Sequence, residues 1–402
     1  MRVLFLSTWF PYPPDNGSKI RVYNLLQALG ARHEVMLLSF AFDTAKPELV
    51  PADGPCAGVH VVRHNPFERS QVSRGLRFFS LTPIAMRPVP EMTHAVHHLL
   101  AQKNFDVAIA SVEVMIPYAL LVPRPAARVL EEHNSLTRWM WERQQEQTST
   151  IQRLRCWMSW QKSRYYESRV FRRFDLCTMV SEQDGQISTQ ILGDRKRVAV
   201  VPNGVDCRRN QPELAPRASN KLIFNGALTY SANYDAMRFF LAEVYPLIQR
   251  MVPDVSLTIT GSISGVDMAG LRLDDSVRFS GYVDDVRPLV AGASVCVVPI
   301  RQGGGTRLKV LEAMALGTPV VATSKGAEGL EVQDGQHILL ADDPASFAER
   351  VVQLLGDPAL HHRVATGARC LVEQRYDWTQ IGRRFVDLVE EVAGRHVLGG
   401  NL

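Results

Sequence analysis

Three successive glycines, Gly303 to Gly305, run into Thr306, Arg307, Leu308, Lys309, Val310, Leu311 and Glu312, the stretch whose residue types and spacing offer the most chemistry. Glycines let a backbone approach a ligand with no Cβ in the way, and the free N–H groups of a helix's first turn favour an anion. Arg307 and Lys309 add two full positive charges, and Glu312 can hold ribose hydroxyls. Gly304, Gly305 and Thr306 would then present their amides to phosphates, which makes the segment a cradle for a nucleotide diphosphate. The same residues also fit a helix cap with two solvated cations. A second candidate is Glu131-Glu132-His133-Asn134, directly after an apolar strand. A histidine there can hydrogen-bond a ligand hydroxyl, or it can cap the sheet edge. A third is Pro14-Asp15-Asn16-Gly17-Ser18-Lys19, where Asn16-Gly17 suits a tight turn that aims amides at phosphates, with Arg21 one turn beyond.

These groups need rigid elements to hold them, and the chain supplies the same grammar twice. Apolar runs at 2–7, 34–39, 59–63, 107–110, 128–131, 178–181 and 198–202 predict strands, with a helix over 18–29. After a polar, proline-bearing stretch, strands are predicted at 222–224, 256–260, 277–280 and 295–299, with helices over 235–248 and 306–315. Short apolar strands alternating with helix-length segments mean parallel sheets covered on both faces. The expected fold class is therefore α/β, two Rossmann-like doubly wound domains facing a central cleft, with ligands at the carboxyl ends of the strands. The expected division is an N-terminal domain over 1–202, a linker over 203–220, a C-terminal domain over 221–378, and a last helix within 379–402 that crosses back.

The chain's 402 residues are too many for one ordinary core and suit two domains. A formal charge of +4 is small for that size and argues against nucleic acid as a partner. Six scattered cysteines form neither a disulfide framework nor a zinc site, as in a reducing, cytoplasmic compartment. Pro11, Pro13 and Pro14 interrupt the N-terminal apolar run before a signal peptide could form, and no stretch nears the ~20 apolar residues of a membrane span. Local charge is more telling. Arg153, Arg155, Lys162, Arg164, Arg169, Arg172 and Arg173 face only Glu167 and interleave with Trp157, Trp160, Tyr165, Tyr166 and Phe171. Such a helix can lie peripherally on an anionic membrane surface, or pack with a solvated basic face. Arg69, Arg74, Arg77, Phe78, Phe79 and Arg87 make a second cluster of the same kind.

The two-domain layout, Pro202-Asn203-Gly204-Val205-Asp206, Gly281-Tyr282-Val283-Asp284-Asp285-Val286, and Glu312-Ala313-Met314-Ala315 with Gly317 and Pro319 resemble the family 4 glycosyltransferases of GT-B fold. Gly-Gly-Gly-Thr-Arg-Leu-Lys and the opening Ser7-Thr8-Trp9-Phe10-Pro11-Tyr12-Pro13-Pro14 are most similar to sugar transferases of exosortase and exopolysaccharide systems. The resemblance implies a retaining transferase whose donor is a nucleotide-diphosphate sugar, a substrate rather than a cofactor. Its base would lie against Tyr282 and Val283, its ribose on Glu312, and its diphosphate on Arg307, Lys309 and the amides of Gly304, Gly305 and Thr306. Domain closure would bring Gly17 and His133 to the sugar. The departing phosphate oxygen would serve as the acceptor's base, and the acceptor would be a glycan, a lipid-linked or a polysaccharide precursor.

Two departures from the family pattern matter. Of the family's two glutamates Glu312 matches the second, while the first, which holds donor-sugar hydroxyls, falls on Gly304. The usual arginine and lysine after the first strand of the C-terminal domain are missing from Asn225 to Asn233, so Arg307 and Lys309 are the candidate replacements. Glycosyltransferases of the other common fold hold a metal with Asp-x-Asp. That motif does not occur here, which gives an expectation of metal-independent activity. Alternatives are a nucleotide-sugar epimerase on the same fold, a catalytically degenerate binding subunit and, last, a dehydrogenase, which would want Gly-x-Gly-x-x-Gly after the first strand.

Overall fold

The computed structural model describes residues 1–68, 87–145, 147, 149–194, 197–303 and 305–399. Five members of the second basic cluster, at 69, 74, 77, 78 and 79, and Gly304 of the glycine turn lie outside the described residues. The chain forms two compact units, one made of Met1–Pro202 with Ile381–Leu402 and the other of Asn203–Gln380. Each is built on an all-parallel sheet.

In unit 1 the strands β1 (Arg2–Ser7), β2 (Glu34–Ala41), β3 (Gly58–Arg63), β4 (Val107–Ser111), β5 (Ala127–Glu131), β6 (Leu176–Met179) and β7 (Val198–Val200) lie in the order β3-β2-β1-β4-β5-β6-β7. Val3, Leu4, Phe5 and Leu6 are all fully buried, although neighbouring side chains point to opposite faces, because helices cover both sides. Those helices include α1 (Gly17–Gly30), α2 (Pro90–Gln102), α3 (Leu136–Gln145), α4 (Thr150–Val170) and α5 (Glu182–Leu192). The Asn16 side chain caps α1 by accepting from Lys19 N at 3.1 Å, and Val22, Leu25, Leu26 and Leu29 bury one helical face.

In unit 2, β8 (Lys221–Phe224), β9 (Ser256–Thr260), β10 (Val277–Gly281), β11 (Val295–Val298), β12 (Val320–Ala322) and β13 (Leu339–Leu340) lie in the order β10-β9-β8-β11-β12-β13. Its helices include α6 (Ser231–Phe239), α7 (Leu308–Ala315), α8 (Pro344–Gly356) and α9 (Pro358–Leu371). Both sheets are doubly wound. The chain starts in the middle, moves out one way for three strands, then returns to the other side of its first strand. The reversal falls between β1 and β4 in unit 1 and between β8 and β11 in unit 2.

Three boundaries differ from those the sequence suggests. The helix expected over 235–248 is α6, a wide π turn over Phe240–Val244 and a further helix Tyr245–Met251. Pro246 has no N–H to give to the preceding turn, so the spiral widens before it. Residues 203–220 group with unit 2, where Val205 N donates to Tyr376 O at 2.8 Å. The last helix, α10 (Trp378–Gly399), joins unit 1 from Ile381 onward. It buries Ile381, Phe385, Val389 and Val392 at helical spacing. A Cβ on Gly382 would come within 2.6 Å of the Ala28 methyl, so glycine permits close packing on α1. Arg32 adds ion pairs to Asp387 at 2.8 Å and Glu390 at 2.6 Å.

Candidate functional site

At the unit 2 reversal the chain leaves β8 through Asn225 and Gly226 and leaves β11 through the glycine turn, so both loops emerge at the position where open α/β sheets bind ligands. Gly303 and Gly305 have φ of +92° and +83°, a left-handed backbone that glycine adopts without strain. The helix begins two residues later than the sequence suggests. Thr306 belongs to the turn, and Arg307 occupies the cap position with no side chain capping α7. First-turn amides without a side-chain acceptor form a site for an anion. The Thr306 Oγ1 beside them is buried and has no hydrogen-bond partner among the described residues. A buried hydroxyl in that state costs stability unless something fills its place. The guanidinium of Arg307 folds back, its Nη2 donating to the carbonyls of Gly303 and Gln302. It thereby braces the glycine turn as well as charging it.

Lys309 and Glu312 share one face of α7, a turn apart. Lys309 Nζ donates to Asn233 Oδ1 at 2.7 Å and lies 4.1 Å from the centre of the Phe224 ring. Its room depends on Gly226, where a Cβ would come within 2.6 Å of Nζ. Burial, the largest cause, pushes the Lys309 amine down to about 7; the Arg307 charge acts the same way, while Glu312 opposes it. Glu312 Oε2 accepts from Asn225 Nδ2 at 2.7 Å, and Thr260 Oγ1 donates to Asn225 Oδ1 at 3.1 Å, which fixes the amide's orientation. Burial raises the Glu312 carboxyl above its ordinary value, with Asn225 and Lys309 holding it back. The result is a carboxylate and an amine oriented by neutral amides, beside an uncapped helix start.

Unit 1 presents a second cluster at its own reversal, where Ser111 is in register with both Ser7 and Glu131. Glu131 is fully buried. Its Oε1 accepts from Arg21 Nε at 2.5 Å, and its Oε2 accepts from Ser111 Oγ at 2.7 Å and His133 Nε2 at 3.2 Å. Arg21 is itself 1% exposed and also donates to the carbonyls of Val201 and Pro202, each at 2.9 Å. Burial alone would raise the Glu131 carboxyl, but Arg21 and then His133 outweigh it and hold the group well below the usual carboxylate range. The bond to the charged carboxylate selects the tautomer with its proton on Nε2, in which Nδ1 is an acceptor. That Nδ1 is buried and has no partner among the described residues. Val112, next to Ser111, has φ +73°, a strained backbone for a β-branched residue and of a kind that concentrates at functional sites.

The structure gathers Gly305, Thr306, Arg307, Lys309 and Glu312 within one turn and helix start. His133 stands in the Glu131 network, and Gly17 opens α1 behind its Asn16 cap. Tyr282, 80% exposed, and Val283 follow β10, which β9 and β8 separate from the glycine turn's strand. Arg21 does not point to phosphates as its spacing suggested; it is buried against Glu131. Glu132 is 3% exposed, and burial, then the neighbouring Glu113 and Glu167 carboxyls, raise it well above the ordinary range. Sequence reasoning missed Asn225, Asn233 and Gly226, reading that segment only for the cations it lacks. The signal was available, since Asn-Gly directly after a strand marks a loop built around a ligand or side chain. Among the described residues, no three His, Cys, Asp or Glu side chains are grouped to hold a metal ion.

The model of Glycosyltransferase Family 4 matches residues 15–209, and that of Glycosyl transferases group 1 matches residues 219–357, so the two together run over most of the chain. The chain belongs to the family 4 glycosyltransferases. It is 33% identical over 207 residues to phosphatidyl-myo-inositol mannosyltransferase of Mycobacterium leprae (strain TN), covering 48% of this chain and 53% of that one. The match thus spans about half the length of that relative. Two solved structures share the fold over nearly the whole chain. Sucrose-phosphate synthase from Thermosynechococcus elongatus superposes with a TM-score of 0.72 at 17% identity, covering 98% of this chain and 99% of that one. HepE from Anabaena, solved in complex with UDP-glucose, gives 0.69 at 16% identity, covering 97% and 100%.

Proposed function

We propose that this glycosyltransferase moves a sugar from a nucleotide-diphosphate sugar to a hydroxyl of a lipid-linked glycan or polysaccharide precursor, retaining anomeric configuration and using no metal. The observation that carries the reading is the uncapped start of α7, with Arg307, Lys309 and Glu312 around it at the reversal of the second sheet. The ribose rests on Glu312. The diphosphate lies on the α7 amides, the Thr306 hydroxyl, Arg307 and Lys309, which stabilise the charge that builds as the nucleotide leaves. His133 Nδ1 takes a sugar or acceptor hydroxyl. The UDP-glucose bound by HepE supports the donor class, and the phosphatidyl-myo-inositol mannosyltransferase supports a lipid acceptor. No helix among the described residues is long and apolar enough to cross a membrane. A lipid acceptor would be met at a membrane surface, on the cytoplasmic face if the cysteine usage reflects a reducing compartment.

Radiolabelled sugar incorporated from UDP- or GDP-sugars into a membrane extract tests the reading, with EDTA in parallel. Incorporation should be unchanged by EDTA. A strict loss of turnover that magnesium or manganese restores would refute metal independence, and an isomerised free sugar with no incorporation would make the protein an epimerase.

Nucleotide binding should also take up a proton. The Lys309 amine, lowered to about 7 when the site holds only protein, returns toward its ordinary value beside a diphosphate. Affinity for UDP or GDP should therefore weaken as pH rises above 7, and calorimetry in buffers of different ionisation heat should report proton uptake. Affinity independent of pH between 7 and 9 in native protein would remove Lys309 from the phosphate site.

A further inference from the structure

The α3 and α4 helices form a hairpin in unit 1, and the start of α3 is tied to the end of α4 by Glu167, whose carboxylate accepts from Thr137 N at 3.1 Å and Thr137 Oγ1 at 2.5 Å. The inner face of α4 is set by Cys156, Trp160, Ser163 and Glu167, at positions i, i+4, i+7 and i+11. Ser163 and Glu167 are 3% exposed, and the Trp160 ring lies 5.0 Å from that of Trp141 on α3. The outward side carries large apolar side chains, with the exposed Gln161 among them. Ile151 is 73% exposed, Leu154 56%, Tyr165 47% and Trp157 42%. Arg155, Lys162 and Arg169, spaced by seven, follow one flank of this apolar stripe, and Arg153 and Arg164 follow the other.

A helix that exposes large apolar side chains between rows of cations has the composition of an element lying in a lipid interface. Charge narrows the partner. Residues 136–173 hold nine Arg or Lys against three Glu, a net +6 that exceeds the +4 of the whole chain. Of those glutamates, Glu167 is buried and Glu142 is paired with Arg138 at 3.0 Å. A second copy of the same surface would be repelled, and a nucleic acid would leave Ile151 and Leu154 uncovered. An anionic bilayer meets both demands, since its headgroups take the cations, its acyl boundary takes the aliphatic chains, and Trp157 and Tyr165 suit the level between them.

We propose that the α3–α4 hairpin seats the protein on a bilayer containing anionic lipid, with Ile151, Leu154 and Trp157 inserted and the flanking cations on the headgroups. This deepens the reading of a lipid-linked acceptor but stands on separate residues. Flotation of the full chain with vesicles of equal parts phosphatidylcholine and phosphatidylglycerol tests it. The protein should float with these and not with phosphatidylcholine alone, and the tryptophan emission should shift to the blue. Replacing Arg155, Lys162 and Arg169 together by Gln should lower partitioning roughly a hundredfold. Leu154→Asn, which changes no charge, should lower it at low salt as well, which a purely electrostatic contact would not. Calorimetry with UDP or GDP should be unchanged in both variants, which keeps the donor site's fate separate from the hairpin's. The proposal is overturned by native protein that does not float with the anionic vesicles, by variants that float as native protein does, or by a concentration-dependent dimer that Leu154→Asn dissolves.

Discussion

Lys309→Met should lower kcat/KM for sugar transfer by about 10²–10³-fold while the melting temperature holds or rises. The two halves of this expectation come from the same contacts. In the folded protein the amine is held by a neutral amide and an aromatic face, and burial pushes it down to about 7. A group that folding makes easier to deprotonate is a burden to the fold, full below that value and fading as pH rises from it toward the ordinary lysine range. Methionine keeps the length and packs on Phe224 without the burden. The charge earns its place only when a diphosphate is present. If Lys309 were merely a structural donor to Asn233, the substitution would lower Tm and leave turnover per folded molecule intact; that outcome would sink the assignment.

Glu131→Gln should cost unit 1 roughly 3–5 kcal/mol, a fall on the order of 10 °C in Tm for a unit of this size. The substitution leaves the Arg21 guanidinium, 1% exposed, without its counter-charge. Adding Arg21→Gln should recover part of the loss, and the double-mutant cycle isolates the coupling. The pH dependence follows from the direction of the Glu131 shift. Its folded value is depressed, so its contribution is fully present above the ordinary carboxyl value of about 4.3 and is lost as pH falls below that. The native protein should therefore lose stability more steeply in acid than Glu131→Gln does. Where the variant folds, His133 loses the carboxylate that fixes its tautomer, and transfer should fall further than UDP or GDP binding does. Equal acid slopes in the two proteins would show that Arg21 and Glu131 are not coupled as drawn.

Much of the fold was legible because a strand buried on both faces has no alternative to a run such as Val3-Leu4-Phe5-Leu6, whereas Asn16, which caps α1, reads in the sequence only as part of a tight turn. The glycine turn was legible for a similar reason, since backbone freedom and charge are local properties. Its partners were not. Asn225 and Asn233 are remote in sequence from Glu312 and Lys309, and only the pairing of β8 with β11 brings them together. Arg21 misled because helical spacing places a side chain on a turn without saying which way the turn faces. Adjacent residues at a strand's end point to opposite sides, so Glu131 meets His133 while Glu132, likewise buried, lies against Glu113.

The grouping of α10 with unit 1 has a consequence for how the protein is made. Residues 203–380 are one continuous piece of chain, whereas unit 1 is assembled from two stretches that flank it. During synthesis, unit 2 can finish folding as soon as it leaves the ribosome, but unit 1, although translated first, waits for Ile381, Phe385, Val389 and Val392 to arrive. Until then α1 lacks the helix that packs on Ala28, and the nascent chain carries an uncovered apolar surface of the kind that chaperones bind.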